Sequence, residues 1–126
     1  MVEHNNNLIV FGGYNGSVFR DKVYKASVNP ADGSLSAFTP TTALLENVFR
    51  SAFIKVGSTI ISAGGYNGSA SINKVYYTEI NPDGTVEPWQ ESANNLPQAF
   101  DAASATYANG FMYVTGGHNS GVYLNT

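Results

Sequence analysis

Leu8-Ile9-Val10-Phe11-Gly12-Gly13 returns as Thr59-Ile60-Ile61-Ser62-Ala63-Gly64-Gly65 and again as Phe111-Met112-Tyr113-Val114-Thr115-Gly116-Gly117. The three Gly-Gly pairs stand 52 residues apart each time, and each closes an apolar run. What flanks them repeats in register: Tyr14-Asn15-Gly16-Ser17 recurs as Tyr66-Asn67-Gly68-Ser69, and Val23-Tyr24 as Val75-Tyr76. A period of this length marks a stack of supersecondary units, none of which buries its apolar face alone. The chain therefore reads as an array of about 2.4 units, and any function must be sought in the stack.

Turn residues punctuate each unit. In Asn29-Pro30-Ala31-Asp32-Gly33 and Asn81-Pro82-Asp83-Gly84, Pro presets a negative φ and Gly accepts a positive one, so a hairpin closes at each. Gly57-Ser58 and Asn109-Gly110 read as tighter turns, with Asn6-Asn7 taken as their counterpart. Naming four strands a to d, the first unit supplies b at 8–11, c at 22–28 and d near 35–39. The second runs a at 51–56, b at 59–63, c at 74–80 and d at 86–90. The third gives a at 103–107, b at 111–115 and the start of c at 122–124. Period-2 alternation sets Tyr24, Ala26 and Val28 on one side of strand c, matched by Tyr76, Thr78 and Ile80. Tyr24 with Tyr76, and Phe38 with Trp89, are expected at matching buried sites between sheets.

These features resemble the kelch repeat. They are the strand ending in Gly-Gly, a loop of about ten residues, the Val-Tyr strand, the Asn-Pro-Asp-Gly turn, the aromatic residue at Trp89 or Phe38, and the Leu96-Pro97 segment leading to Asn109-Gly110 and Gly116-Gly117. The likeness covers nearly all of residues 8–124, and Asp83-Gly84-Thr85 with Trp89 is similar to a turn of bacterial kelch-like proteins. It implies an all-β chain of four-stranded antiparallel propeller blades, in repeat units of about 8–49, 50–101 and 102–126, with the ring incomplete within one chain. Propellers host many unrelated activities, so the resemblance speaks to fold and not to function.

Composition fits and narrows the classes. The 126 residues are 43% hydrophobic and 12% charged, which suits a folded chain and not a disordered polyelectrolyte. Six basic against nine acidic residues give a net charge of -3, without the basic footprint of a nucleic-acid binder or a partner for an anionic membrane surface. There is no cysteine, which removes disulfides, thiolate catalysis and cysteine zinc sites. No run approaches the roughly 20 apolar residues of a membrane-spanning helix, and the N-terminal residues lack the pattern of a signal peptide. The chain reads as soluble, and its compartment, extracellular and periplasmic included, stays open.

The Gly-Gly pairs lack the fingerprint and the following helix of a phosphate site, so they read as structural. The loops after them are better candidates. The resemblance places the b to c loops and the approach to strand a together on one face of the disc, around the channel mouth. That face would carry Tyr14, Asn15 and Arg20, then Tyr66 and Asn67, then His118. Aromatic rings beside amides and hydroxyls suit sugars or a peptide edge. Where the repeat breaks, Arg50 stands in one unit and Phe100 or Asp101 in the next. Many kelch proteins aim an arginine at the channel from near this position, and the plainer reading pairs Arg50 with Asp101 across neighbouring units.

Catalytic patterns are poor. His4 and His118 lack companions at metal-ligand spacing, Asp32 and Asp83 are explained by their turns, and no cofactor is implied. Three readings follow: a non-catalytic kelch-type module binding a protein or glycan through its loop face, a segment of a sugar-processing enzyme of the mutarotase type, or a structural repeat of a surface or appendage protein. Because strand a of the first unit and strand d of the last are expected to be missing, the natural partners are the remaining blades of a longer chain or further copies of this one.

Overall fold

The computed structural model describes residues 1–125, which contain twelve β-strands and no helix. β1 (Val2–His4), β2 (Asn7–Phe11), β3 (Val23–Ser27) and β4 (Thr39–Pro40) pair antiparallel, in chain order, into one four-stranded sheet. β5 (Ala52–Val56), β6 (Thr59–Ala63), β7 (Val75–Glu79) and β8 (Gln90–Glu91) build a second sheet of the same order. β9 (Ser104–Ala108) and β10 (Phe111–Thr115) form a hairpin, and β11 (His118–Asn119) with β12 (Val122–Tyr123) a short ribbon. The registers repeat too: Phe11 opposes Val23 as Ala63 opposes Val75. Among the described residues no helix is long and apolar enough to cross a membrane.

The sheets stack side to face because alternation gives each strand two different sides. Ile9, Phe11 and Val23 on the first sheet meet Ile60, Tyr76 and Trp89 on the second, with Leu44 and Val48 closing the same core. The Phe11 ring lies 5.0 Å from Phe53 and 5.7 Å from Trp89, centroid to centroid, in the tilted geometries that aromatic quadrupoles favour. Polar links frame this interface. Thr42 Oγ1 donates to the Val86 carbonyl at 2.8 Å, the Val86 N–H donates to Thr41 Oγ1 at 3.1 Å, and Lys25 Nζ lies 3.3 Å from Asp83 Oδ2. The Tyr76 hydroxyl reaches through the core to donate to Glu46 Oε1, and burial, helped by that carboxylate, raises its pKa well above the usual phenol range.

Several expectations need correction. Strand a of the first sheet is present as β1, closed by a turn at Asn5-Asn6, whose φ angles of 49° and 58° suit a two-residue hairpin loop. The turn lies one position before the expected Asn6-Asn7, and Asn7 opens β2 with its Nδ2 donating to the Asn5 carbonyl at 2.9 Å. The outer strands start later than expected. Val28 with Leu35 and Ile80 with Val86 make single bridges before β4 and β8. Pro88 has no N–H to give the ladder, and in the first sheet the Ser36 hydroxyl takes the Ser27 N–H at 2.9 Å in place of a carbonyl.

Val122-Tyr123 does not begin a strand c on β10. It pairs with His118-Asn119, as Phe19 pairs with Tyr14 and Ser71 with Tyr66, and so belongs to the loop return. Tyr24 and Phe38 are exposed, whereas Tyr76 and Trp89 are buried. The reason is positional: among the described residues no sheet covers the side of the first sheet that bears Tyr24 and Phe38.

Asp83 gives a pH handle on the interface. Thr85 Oγ1 donates to its Oδ1 at 2.6 Å and the Thr85 N–H at 2.9 Å, and with Lys25 beside it the carboxyl is held at about 2, below the usual 3.8. A depressed folded-state pKa adds stability above the unfolded value, and that stability is lost as pH falls through the folded one. Asp83→Asn should therefore lower the melting temperature at pH 6, with the gap to wild type closing between about pH 4 and pH 2. A gap that stays constant across that range would show that the ionised carboxylate contributes nothing.

Candidate functional site

The loops after β2, β6 and β10 are built alike, and the chain leading into β5 and into β9 is pinned against them. The Gly13 N–H donates to the Val48 carbonyl at 3.0 Å and the Gly65 N–H to the Phe100 carbonyl at 2.7 Å. Phe49 and Tyr66 exchange both backbone bonds at 2.9 and 2.7 Å, and Asp101 and His118 do the same at 2.9 and 2.8 Å. Gly12 and Gly64 allow this approach, with φ of 66° and 64° and no Cβ to strike the neighbouring carbonyl. The glycines thus act through backbone geometry.

These pairings settle the register left open between the two sheets. Val48 matches Phe100, Phe49 matches Asp101, and Arg50 matches Ala102, both of the last pair with φ of 56°. The place of Arg50 is therefore taken in the next unit by Ala102, not by Phe100 or Asp101. Thr41 and Ser92 make equivalent bonds, as do Leu44 and Leu96, so an extra residue between Ser92 and Leu96 cancels the extra Ala31 upstream.

Four rings gather on the loop side. Tyr14 stacks on Phe19 at 4.5 Å, Phe49 lies 5.8 Å from each, and Tyr66 lies 5.3 Å from Phe19. The Arg50 guanidinium stands over the Phe49 ring at 5.0 Å, within cation–π range. From there Arg50 reaches the buried carboxylate of Asp101, with Nη2 2.9 Å from Oδ1. That contact is an ion pair without an aligned hydrogen bond, since the N–H is not directed along it. Ser71 Oγ donates to Asp101 Oδ2 at 2.7 Å, and His118 Nδ1 lies 3.7 Å from the same oxygen. The Gly121 N–H donates to His118 Nε2 at 3.1 Å, which places the ring proton on Nδ1, facing the carboxylate.

Tyr14, Tyr66, Arg50, Asp101 and His118 are thus joined into one network of contacts by Phe19, Phe49 and Ser71, with Asp101 buried beneath it. Asn15 and Asn67 are present but engaged: each Oδ1 caps its own turn, accepting from Ser17 and Val18 at 3.1 and 2.8 Å and from Ser69 and Ala70 at 3.0 and 3.0 Å. Asn67 Nδ2 also donates to Glu46 Oε2 at 3.2 Å. Arg20 is exposed and makes no ion pair among the described residues. Phe49 is the residue a loop-based reading undervalues, because it lies in the approach to β5, away from the loop it packs on. Its signal is an aromatic side chain next to Arg50 where the following unit carries Asp101.

Ser71 donates to the aspartate and not to the histidine, and His118 Nε2 is occupied by a backbone N–H, so among the described residues of this cluster no hydroxyl is paired with the imidazole. Among the described residues no three acidic, histidine or cysteine side chains converge as a metal site. No protein-family model matches this chain, and no curated protein matches it either.

Proposed function

We propose that this chain is a non-catalytic, kelch-type binding module, its sheets being propeller blades, that takes a protein or glycan ligand on the face formed by the b to c loops and the approaches to β5 and β9. The observation that carries the reading is the aromatic cluster of Tyr14, Phe19, Phe49 and Tyr66, crowned by Arg50. Partly exposed rings offer flat apolar faces to a sugar ring or a peptide side chain, and the guanidinium adds fixed donors beside them. The ladder of bonds from Gly13 to His118 holds the surface rigid, which lowers the ordering cost of binding. The propeller reading is supported by two sheets of identical strand order and register, one side of the first stacked on the opposite side of the second.

Glycan-array screening, followed by titration of any hit, tests this directly, and a panel of extended peptides covers the other ligand class. Tyr14→Ala or Tyr66→Ala should weaken binding about 10-fold to 100-fold, the loss of one aromatic anchor. Asp32→Ala and Asp83→Ala, in the opposite turns, should leave affinity unchanged. A ligand that responds only to the two aspartate turns would place the site on the other face and end this reading.

A further inference from the structure

Between the first and second sheets both facing sides are covered, and the same positions at the two outer faces of the stack are bare. On the first sheet Tyr24 is 40% exposed and Phe38 47%, while their equivalents Tyr76 and Trp89 on the second sheet are each 2% exposed. Leu35, half exposed, matches the buried Val86. Val10, Tyr24 and Phe38 line an open apolar groove of about 310 Å³. The corresponding second-sheet positions, Ser62, Tyr76 and Trp89, form the side against which the first sheet packs, with the Phe11 ring on Trp89.

At the other end, Val114 of β10 lines the crevice shared with Leu96, Pro97 and Phe100 of the second unit. Alternation then turns Phe111 and Tyr113 outward, where they are 66% and 52% exposed. Their equivalents on the first sheet are Asn7 and Ile9, both buried against the second sheet. Each outer face therefore repeats a side whose partner is visible inside the chain: one is the side that receives a preceding sheet, the other the side that packs on a following one.

We infer that a second copy of this chain covers the groove of Val10, Tyr24 and Phe38, docking the Phe111 and Tyr113 side of its β9–β10 hairpin there, head to tail. The occupant follows from continuity with the internal interface. What packs on Tyr76 and Trp89 is the opposite side of a neighbouring sheet of the same register, and the hairpin carries that side with its apolar residues uncovered. Like faces have no such precedent in the molecule. The contact is heterologous, so copies add in one direction into open rows or a closed ring. This inference is independent of the loop-face ligand, which engages residues on a different edge of the sheets.

Sedimentation velocity of the 126-residue chain over about 1 to 100 µM reads the association directly, a range suited to an interface of this modest size. The weight-average mass should rise with concentration. A head-blocked variant, Tyr24→Lys with Phe38→Lys, and a tail-blocked variant, Phe111→Lys with Tyr113→Lys, should each stay monomeric alone. All four positions are solvent-exposed within one copy, and circular dichroism should report an unchanged strand spectrum. Mixed together, the two variants keep one free head and one free tail and should form a dimer and nothing larger. Wild type that remains monomeric at about 100 µM overturns the inference whatever the variants do. So does a blocked variant that still dimerises by itself, since that would mean like faces pair.

Discussion

Gly64→Ala should cost about 3 to 5 kcal/mol, whereas Gly116→Ala, at the same position one repeat later, should cost about 1 to 2 kcal/mol. Both glycines hold left-handed backbone, with φ of 64° and 72°, so the conformational part of the penalty is shared. The steric part is not. A Cβ on Gly64 would stand 2.7 Å from both the carbonyl oxygen and the ring of Phe100, and that carbonyl already accepts the Gly65 N–H at 2.7 Å. Among the described residues nothing lies within 4 Å of a Cβ on Gly116. Relief at Gly64 must move backbone, and with it the segment that carries Asp101. Urea unfolding of the two variants measures the difference, and equal losses would mean that φ alone decides these positions.

Trp89→Ala should lose about 3 to 5 kcal/mol, while Phe38→Ala in dilute solution should lose less than about 1 kcal/mol, although the repeat places the two residues at one site. Trp89 is buried against Phe11 in the shared core of the two sheets, and truncation there leaves a cavity. Phe38 borders an open groove, so its removal empties nothing that was filled. Among the described residues the indole Nε1 has no hydrogen-bond partner, and Trp89→Phe, which places the residue type of position 38 there, should retain most of the stability. Comparable losses for Trp89→Ala and Phe38→Ala would mean that the first sheet is covered after all.

The contrast between those two residues also shows what a sequence can disclose here. Strands β6 and β10 are legible to the residue because each is an apolar run fenced by a turn and a Gly-Gly pair, signals that act locally. β1 is not, since Val2-Glu3-His4 is too short to alternate and becomes a strand only by pairing with β2. Val122-Tyr123 misleads by copying the Val-Tyr of strand c five residues too early, where the loop needs a return strand. Burial of Tyr24 and Phe38 depends on a neighbouring sheet, which no pattern within their own repeat encodes.

At the candidate site the same division holds. Tyr14, Tyr66, Arg50, Asp101 and His118 can be gathered from the repeat and its breaks, and the Arg50–Asp101 pair is foreseen as one of two readings. What the repeat does not disclose at Asn15 and Asn67 is that an Asn at the head of a tight loop spends its carbonyl on the turn. Phe49 becomes legible only once the approach to β5 is known to lie against the preceding loop.

Trp89 is the chain's one tryptophan, and it lies at the seam between the first two sheets. Its emission is therefore a built-in optical gauge of that seam, blue while the indole is dry and red once water reaches it. The β9–β10 hairpin packs away from that seam, on β5, so its loosening alone leaves the indole dry and the emission unshifted. The seam can thus be followed apart from the hairpin end of the molecule, with no label attached.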